Sequence, residues 1–230
     1  MTKKRIFITG STTGLGQLAG QLLMKEGHEV ILHARSKTSV MKEKAQYVFG
    51  DLSKTEEVKS VAEQVNQLGR MDAVIQNAGV YTVGPEELFS VNVLAPYLLA
   101  TLLKRPERMI FLSSGMHLSG SLNLDRKKCS YSDTKLFDLM FAKYFAREWP
   151  GTFINAVDPG WVPTRMGGPG APDSLVKGAE TQAWLATSND PAALVSGKYF
   201  HHQKVHRSNP IADSLEAQEK LIAYCRSLAN

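Results

Sequence analysis

The sequence predicts an α/β fold: a single-domain, Rossmann-type, doubly wound parallel sheet of about seven strands with helices on both faces. Three observations predict it. Short apolar runs alternate with longer helix-like segments along the whole chain, the pattern of a parallel sheet covered on both faces. The first run, Arg5-Ile6-Phe7-Ile8-Thr9, opens directly into the glycine turn Gly10-Ser11-Thr12-Thr13-Gly14-Leu15-Gly16 and then into an apolar-periodic helix through Leu18, Leu22, Leu23 and Met24. Three later runs end in short motifs of their own, Asn77-Ala78-Gly79, Ser113-Ser114 and Pro159-Gly160-Trp161-Val162-Pro163-Thr164. In an open α/β sheet, ligands bind at that edge, just past the strands' C-terminal ends.

Taken in order, strands are expected at 4–9, 29–34, 46–50, 72–76, 108–113, 152–158 and 197–200. Helices are expected near 15–26, 54–68, 86–103, 131–148, 174–188 and 213–228. The segment between the second and third strands has room for one or two helical turns. The helix near 86–103 holds Pro96 four residues after Asn92. Proline has no N–H, so the Asn92 carbonyl loses its usual partner and a kink is expected there. The irregular stretch from Pro163 to Pro172, with Gly167, Gly168, Pro169 and Gly170, reads as a surface loop or as a substrate lid spanning 163–176.

Composition sets bounds. A chain of 230 residues with 43% hydrophobic content buries a sizeable core as one domain, 1–230. No apolar run approaches the roughly 18 residues needed to span a bilayer. The basic start, Met1 to Arg5, leads into a strand instead of a signal-peptide core, so a cytoplasmic setting is expected. Cys129 and Cys225 fit no metal or redox spacing. The net charge of +5 is scattered, and no basic patch is interleaved with aromatics, which argues against a nucleic-acid partner. His201, His202 and His206 cluster without an Asp, Glu or Cys among them, and no metal is expected.

The motifs point to chemistry. Gly10 can make a tight turn, and Gly14 and Gly16 leave room for backbone and phosphate to approach each other, while the helix N-terminus offers free N–H groups to a pyrophosphate. The same turn could also serve only to connect two elements. Strand two ends His33-Ala34-Arg35-Ser36-Lys37 without the carboxylate that NAD-specific folds place there to hold the ribose 2′-OH. Arg35 could instead fork onto a 2′-phosphate, so NADP(H) is expected over NAD(H). In Tyr131-Ser132-Asp133-Thr134-Lys135, a phenol and an ammonium lie four residues apart on one helix face. The ammonium favours the phenolate and so is expected to lower the phenol's pKa, suiting the pair to general acid/base work on a carbonyl or alcohol.

Thr9-Gly10-x-x-x-Gly14-x-Gly16, Asp51, Asn77-Ala78-Gly79, Asn92, Ser114, Tyr131-x-x-x-Lys135 and Pro159-Gly160 occur in the order seen in the short-chain dehydrogenase/reductase family, which the chain resembles from Thr9 to about Tyr199. Gly197-Lys198-Tyr199-Phe200 makes it similar to the retinol-dehydrogenase-like branch, without establishing a retinoid substrate. The resemblance implies an NADP(H)-dependent oxidoreductase working on a small carbonyl or alcohol. Tyr131 would be the acid/base, Lys135 its partner and a ligand of the nicotinamide ribose, and Ser114 a hydrogen-bond donor to the substrate oxygen. Ser113 competes for that last role, though strand alternation turns it toward the sheet. Asn92 would complete the catalytic set, with a water joining its carbonyl to Lys135. The implied cofactor contacts are Gly10, Ser11, Thr12, Gly14, Leu15, Gly16, Arg35, Asp51 and Leu52 on the adenosine side. Asn77, Ala78 and Gly79 line that side too, and Tyr131, Lys135, Pro159, Gly160, Val162 and Thr164 reach the nicotinamide. His117 reads as a loop histidine beside the substrate, and Phe137, Phe141, Tyr144 and Phe145 as core or packing. A homodimer through the helices holding Asn92 and Tyr131 is plausible by the same resemblance. The alternative function is a catalytically silent NADP(H)-binding sensor or scaffold.

Overall fold

A computed structural model describes residues 2–39 and 45–229. Eight strands form one sheet in the order β3-β2-β1-β4-β5-β6-β7-β8. They are β1 (Arg5–Ile8), β2 (Glu29–Ala34), β3 (Gln46–Phe49), β4 (Ala73–Gln76), β5 (Arg108–Leu112), β6 (Phe153–Asp158), β7 (Tyr199–His201) and β8 (Lys204–Val205). The first seven are parallel, so their C-terminal ends share one edge. The eighth, which the sequence pattern did not signal, is an antiparallel two-residue extension turned by His202 and Gln203 at positive φ. The order reverses direction between β1 and β4, which opens a crevice at the ends of those strands.

The helices are α1 (Gly14–Lys25), α2 (Thr55–Gln67), α3 (Pro85–Phe89), α4 (Ala95–Leu102), α5 (Tyr131–Glu148), α6 (Leu175–Thr187) and α7 (Leu215–Ala229). Strand side chains alternate between two cores. Ile6, Ile8, Ile75, Ile110 and Val157 pack with α1 and α6 on one face. Phe7, Val74, Met109, Phe111 and Ile154 pack with α2, α4, α5 and α7 on the other. Phe137, Phe141 and Phe145 belong to this second core, as expected.

Two expectations need correction. The helix expected at 86–103 is divided. Between α3 and α4, residues Ser90–Leu94 form a π-turn in which the Ala95 N–H bonds the Ser90 carbonyl five residues back. The distortion anticipated at Asn92 thus takes the form of a changed hydrogen-bond register. Between β2 and β3 there is a 3-10 turn at Lys37–Ser39, and the remainder of that segment lies outside the described residues. Helix α5, one of the two expected to pair two copies, packs against α7 within the chain. Residues 133–142 of α5 are buried throughout, and α7 lies across the same layer, with Tyr224 edge-on to Phe89 and Gln218 and Glu219 bonded to Arg147.

Candidate active site

The glycine turn is shaped by its neighbours on the sheet. Gly10 and Gly14 have φ of +61° and +59°, a region that side chains with a Cβ avoid. At position 10 a Cβ would also strike Ala78 Cα at 2.8 Å. At position 16 the nearest neighbour is Asn77: a Cβ there would lie 2.3 Å from its Nδ2. That amide donates to the carbonyls of Thr9 at 2.9 Å and Gly10 at 3.1 Å, and Ala78 N–H donates to Thr9 Oγ1 at 2.9 Å. Asn77 and Ala78 therefore brace the glycine turn from beneath. The Ser11 hydroxyl is committed as well, donating to Ile8 O at 2.9 Å and accepting from His33 N at 2.8 Å. The Ser11 N–H is committed too, donating to His33 O at 3.2 Å, and half-buried Thr12 and Leu15 complete the turn. Thr13 supplies no side-chain cap to α1, so the first-turn N–H groups are not met by a capping side chain.

His33 contributes more than its place at a strand end suggested. Its Nδ1 accepts from Gly10 N–H at 3.1 Å and its Nε2 donates to Gly50 O at 2.8 Å. One neutral ring thus ties the turn after β1 to the end of β3, and burial lowers its pKa. Arg35 is exposed immediately beyond β2. Burial pushes the Asp51 carboxyl up, but hydrogen bonds from Ser53 and the charges of Arg35 and Lys54 outweigh it and hold the group below its ordinary range. The Leu52 side chain sits in the core, leaving its backbone as the part available to a ligand.

Beyond β5, the two serines separate as alternation predicts. Ser113 is buried and donates to the Lys135 carbonyl at 2.7 Å. Ser114 is half-buried, and its oxygen accepts from Met116 N at 3.3 Å, which leaves its O–H free to donate. Tyr131 and Lys135 occupy the first turn and a half of α5, started by a capping box of Ser130 and Asp133. The Lys135 ammonium lies 5.5 Å from the Tyr131 ring centre. It donates to the Leu112 carbonyl at 2.7 Å and to Asp138 Oδ2 at 2.8 Å. An ammonium has three donors, so one remains. Gly79 borders this region: a Cβ there would stand 3.6 Å from Lys135 Nζ and 3.5 Å from Asn92 Oδ1, in ordinary contact.

Asn92 acts through its amide. Its Oδ1 accepts from Val80 N at 2.8 Å, and its Nδ2 donates to Val80 O at 2.9 Å and Thr134 Oγ1 at 3.2 Å. The loop after β4 is thereby fastened to the residue preceding Lys135.

The net pKa shift of Tyr131 runs opposite to the expected one. Burial pushes the phenol up; Lys135 pulls it down, and Asp138, Asp158 and Tyr81 add to the rise. The phenol stays protonated at neutral pH, the state a proton donor needs.

The stretch after β6 folds back over this edge. Gly160, at φ +83°, turns the chain, and Asp173 closes the loop by accepting from Trp161 N at 2.6 Å. Val162 is buried. Thr164 places its methyl over Gly14, 3.4 Å from where a Cβ would stand, and its hydroxyl accepts from Gly167 N. Met166 brings its sulfur 3.8 Å from the Tyr131 hydroxyl, and Tyr81 stands edge-on to the Tyr131 ring at 4.8 Å. His117 is not a loop residue beside the substrate. It is fully buried, with Nδ1 donating to Ser114 O at 2.7 Å and Nε2 accepting from Asn209 N at 3.2 Å. Among the described residues, no three His, Cys, Asp or Glu side chains converge in a way that could hold a metal ion.

Comparison with known proteins settles the family. The profile described as short chain dehydrogenase matches residues 4–174. The chain belongs to the short-chain dehydrogenase family. An uncharacterised oxidoreductase of Emericella nidulans is 39% identical, with 98% of this chain and 96% of that protein covered. Human retinol dehydrogenase 14 is 27% identical over 96% of this chain and 84% of its own length, in line with the expected branch. Among solved structures, an uncharacterised protein of Mycobacterium paratuberculosis superposes with a TM-score of 0.83 at 20% identity, covering 99% of this chain and 94% of that one. A metagenomic blue fluorescent protein in complex with NADPH superposes with a TM-score of 0.71 at 22% identity, covering 86% and 95%. As a short-chain dehydrogenase the chain is an oxidoreductase, and its α/β sheet is the family's fold. No helix among the described residues is long and apolar enough to cross a membrane.

Sequence reasoning missed His33, Asp138, Tyr81 and Met166 as parts of this short-chain dehydrogenase's site. Asp138 left a signal: a lone carboxylate inside Leu136-Phe137-Asp138-Leu139-Met140-Phe141, three residues from Lys135. Tyr81 and Met166 left none, because their places depend on loop paths.

Proposed function

We propose that the chain is an NADP(H)-dependent reductase of carbonyl compounds, also able to oxidise the corresponding alcohols, with Tyr131 as general acid/base. The observation that carries this reading is the state of the Tyr131–Lys135 pair: a phenol kept protonated beside an ammonium with one donor uncommitted. The glycine turn, with its two positive-φ glycines and an α1 N-terminus free of a side-chain cap, fits a dinucleotide pyrophosphate. Exposed Arg35, with no carboxylate at the end of β2, favours a 2′-phosphate. Bound nicotinamide supplies the hydride. The protein's residues do the rest. Ser114 donates to the substrate oxygen, and Tyr131 delivers a proton to that oxygen as charge develops on it. Lys135 uses its third N–H to hold the ribose and favours the phenolate that remains. Asn92 keeps the Val80 loop fixed against α5. Val162 and Thr164 hold the carboxamide end, and residues 163–176 act as the lid. Tyr81 (45% exposed) and Met166 (44%), both against Tyr131, would line the way in with apolar surface, which fits a carbonyl carried on an apolar or ring-bearing body.

The test is NADPH oxidation against a panel of ketones, aldehydes and quinones. Tyr131→Phe should abolish turnover and leave cofactor affinity nearly intact, whereas Lys135→Ala should lose both. Near-parental kcat in Tyr131→Phe would refute the mechanism. Cofactor binding with no turnover across the panel would favour the sensor reading.

A further inference from the structure

A carboxylate stands behind the reacting pair and has no place in the mechanism above. Asp138 lies one turn after Lys135 on α5, with its Oδ2 2.8 Å from the ammonium. The two side chains are 4% and 5% exposed. Their neighbours on the helix, Leu136, Phe137, Leu139 and Met140, are fully buried and apolar. Burying a charge in such surroundings is costly unless it is paired, and the Lys135 ammonium supplies the pairing. The cation acting on Asp138 is Lys135. The carboxylate therefore acts on the lysine and, through it, on the phenol.

We propose that Asp138 is a positioning residue: it holds the Lys135 ammonium against the end of β5, and its negative charge keeps the Tyr131 phenol protonated, biasing the site toward carbonyl reduction at neutral pH. The geometry of the ammonium and the charges around the phenol support this. The ammonium is fixed from two sides, by Leu112 O and by Asp138, while Ser113 fixes the lysine's own carbonyl. That leaves the third donor a defined direction. The other charged or titratable groups acting on Tyr131 are Lys135 on the same helix, Asp158 at the end of β6 and Tyr81 on the loop after β4. Lys135 alone among these favours the phenolate, so Asp138 partly neutralises the one group that would ionise the phenol. Without Asp138 the phenolate forms at lower pH, and the site shifts toward alcohol oxidation.

This rests on the reading of Tyr131 as acid/base, and the test separates the two. Asp138→Asn keeps an oxygen acceptor for Lys135 and removes the charge. Phenolate absorbance is titrated in the full-length parent and in Asp138→Asn, each with its Tyr131→Phe counterpart subtracted, so the Tyr131 signal is read without turnover. In parallel, the pH profile of kcat/KM for alcohol oxidation is measured in both. The expected result is a shift of both midpoints to lower pH by about one unit in Asp138→Asn, with recovery toward the parent in Asp138→Glu. Unmoved midpoints in Asp138→Asn overturn the proposal, whatever the activity. If Tyr131→Phe turns over like the parent, the acid/base reading fails instead. Loss of the fold in both Asp138→Asn and Asp138→Ser, judged by circular dichroism, would assign Asp138 to the core alone and also overturn the proposal.

Discussion

Replacing Gly16 with alanine sets helix propensity against packing, and the geometry says which wins. Gly16 lies in the first turn of α1, where alanine gains about 1 kcal/mol over glycine. The new Cβ would stand 2.3 Å from Asn77 Nδ2 and 2.6 Å from Gly10 O, inside the 3.0 Å that real Cβ atoms essentially never breach. The Asn77 amide must swing away and give up its bonds to Thr9 O and Gly10 O. Two hydrogen bonds at about 1 kcal/mol each, plus about 1 kcal/mol for a buried group left unpaired, come to about 3 kcal/mol. Subtracting the propensity gain leaves a net loss of about 2 kcal/mol. For a chain of this size, that lowers Tm by about 4–8 °C. Affinity for NADPH should fall too, because the freed carbonyls belong to the turn that receives it. Gly170→Ala is the control, since its Cβ would meet nothing within 4 Å, and its Tm should match the parent's. Thermal melts with and without NADPH make the comparison. A Gly16→Ala protein melting at or above the parent would show that propensity dominates and that the Asn77 brace contributes nothing.

Two more outcomes follow from the same structure. Arg35→Ser should lower kcat/KM with NADPH by about 10- to 100-fold, the worth of a charge-assisted contact, and leave the value with NADH little changed; a parent enzyme that already prefers NADH would refute the role of Arg35. Burial lowers the pKa of His33 and His117 in the fold, so the folded chain binds fewer protons than the unfolded one. Their stabilisation is fully present above the ordinary histidine value of about 6.5 and is lost as pH falls below it. Tm should therefore drop between pH 7.5 and pH 5, and an unchanged Tm across that range would contradict the neutral, doubly bonded rings.

What could be read from the sequence was what is local. Strands such as Met109-Ile110-Phe111-Leu112 are buried on both faces and so announce themselves as apolar runs. The loop motifs mark where those strands end, and parallel pairing brings them to one edge. The choice of Ser114 over Ser113 followed from the family resemblance and from strand alternation, and Ser113 is indeed turned inward, onto the Lys135 carbonyl. The rest depends on groups distant in sequence. Strand β8 is two exposed residues with no apolar signature. The amphipathic α7 gives no sign in its own sequence that it will pack against α5. The sign of the Tyr131 shift was misjudged because Lys135 is near in sequence, whereas the burial, Asp158 and Tyr81 that outweigh it are assembled by the fold.

Asn92 shows how a local rule can be right about a disturbance and silent about its use. Pro96 removes a helical donor, so some departure from regular helix was forced. The chain meets it with a π-turn at Ser90–Leu94, and a π-turn rotates the side chains that follow relative to a continuous helix. In this setting Asn92 reaches both main-chain groups of Val80 and the Thr134 hydroxyl at once. Both N–H donors of its amide are then committed, so the side chain's part is to lock the loop after β4 to the helix carrying Lys135. Breaking that lock needs a change only at residue 92, whereas restoring a regular helix needs a donor at position 96, so the two features reside in different residues of one short turn.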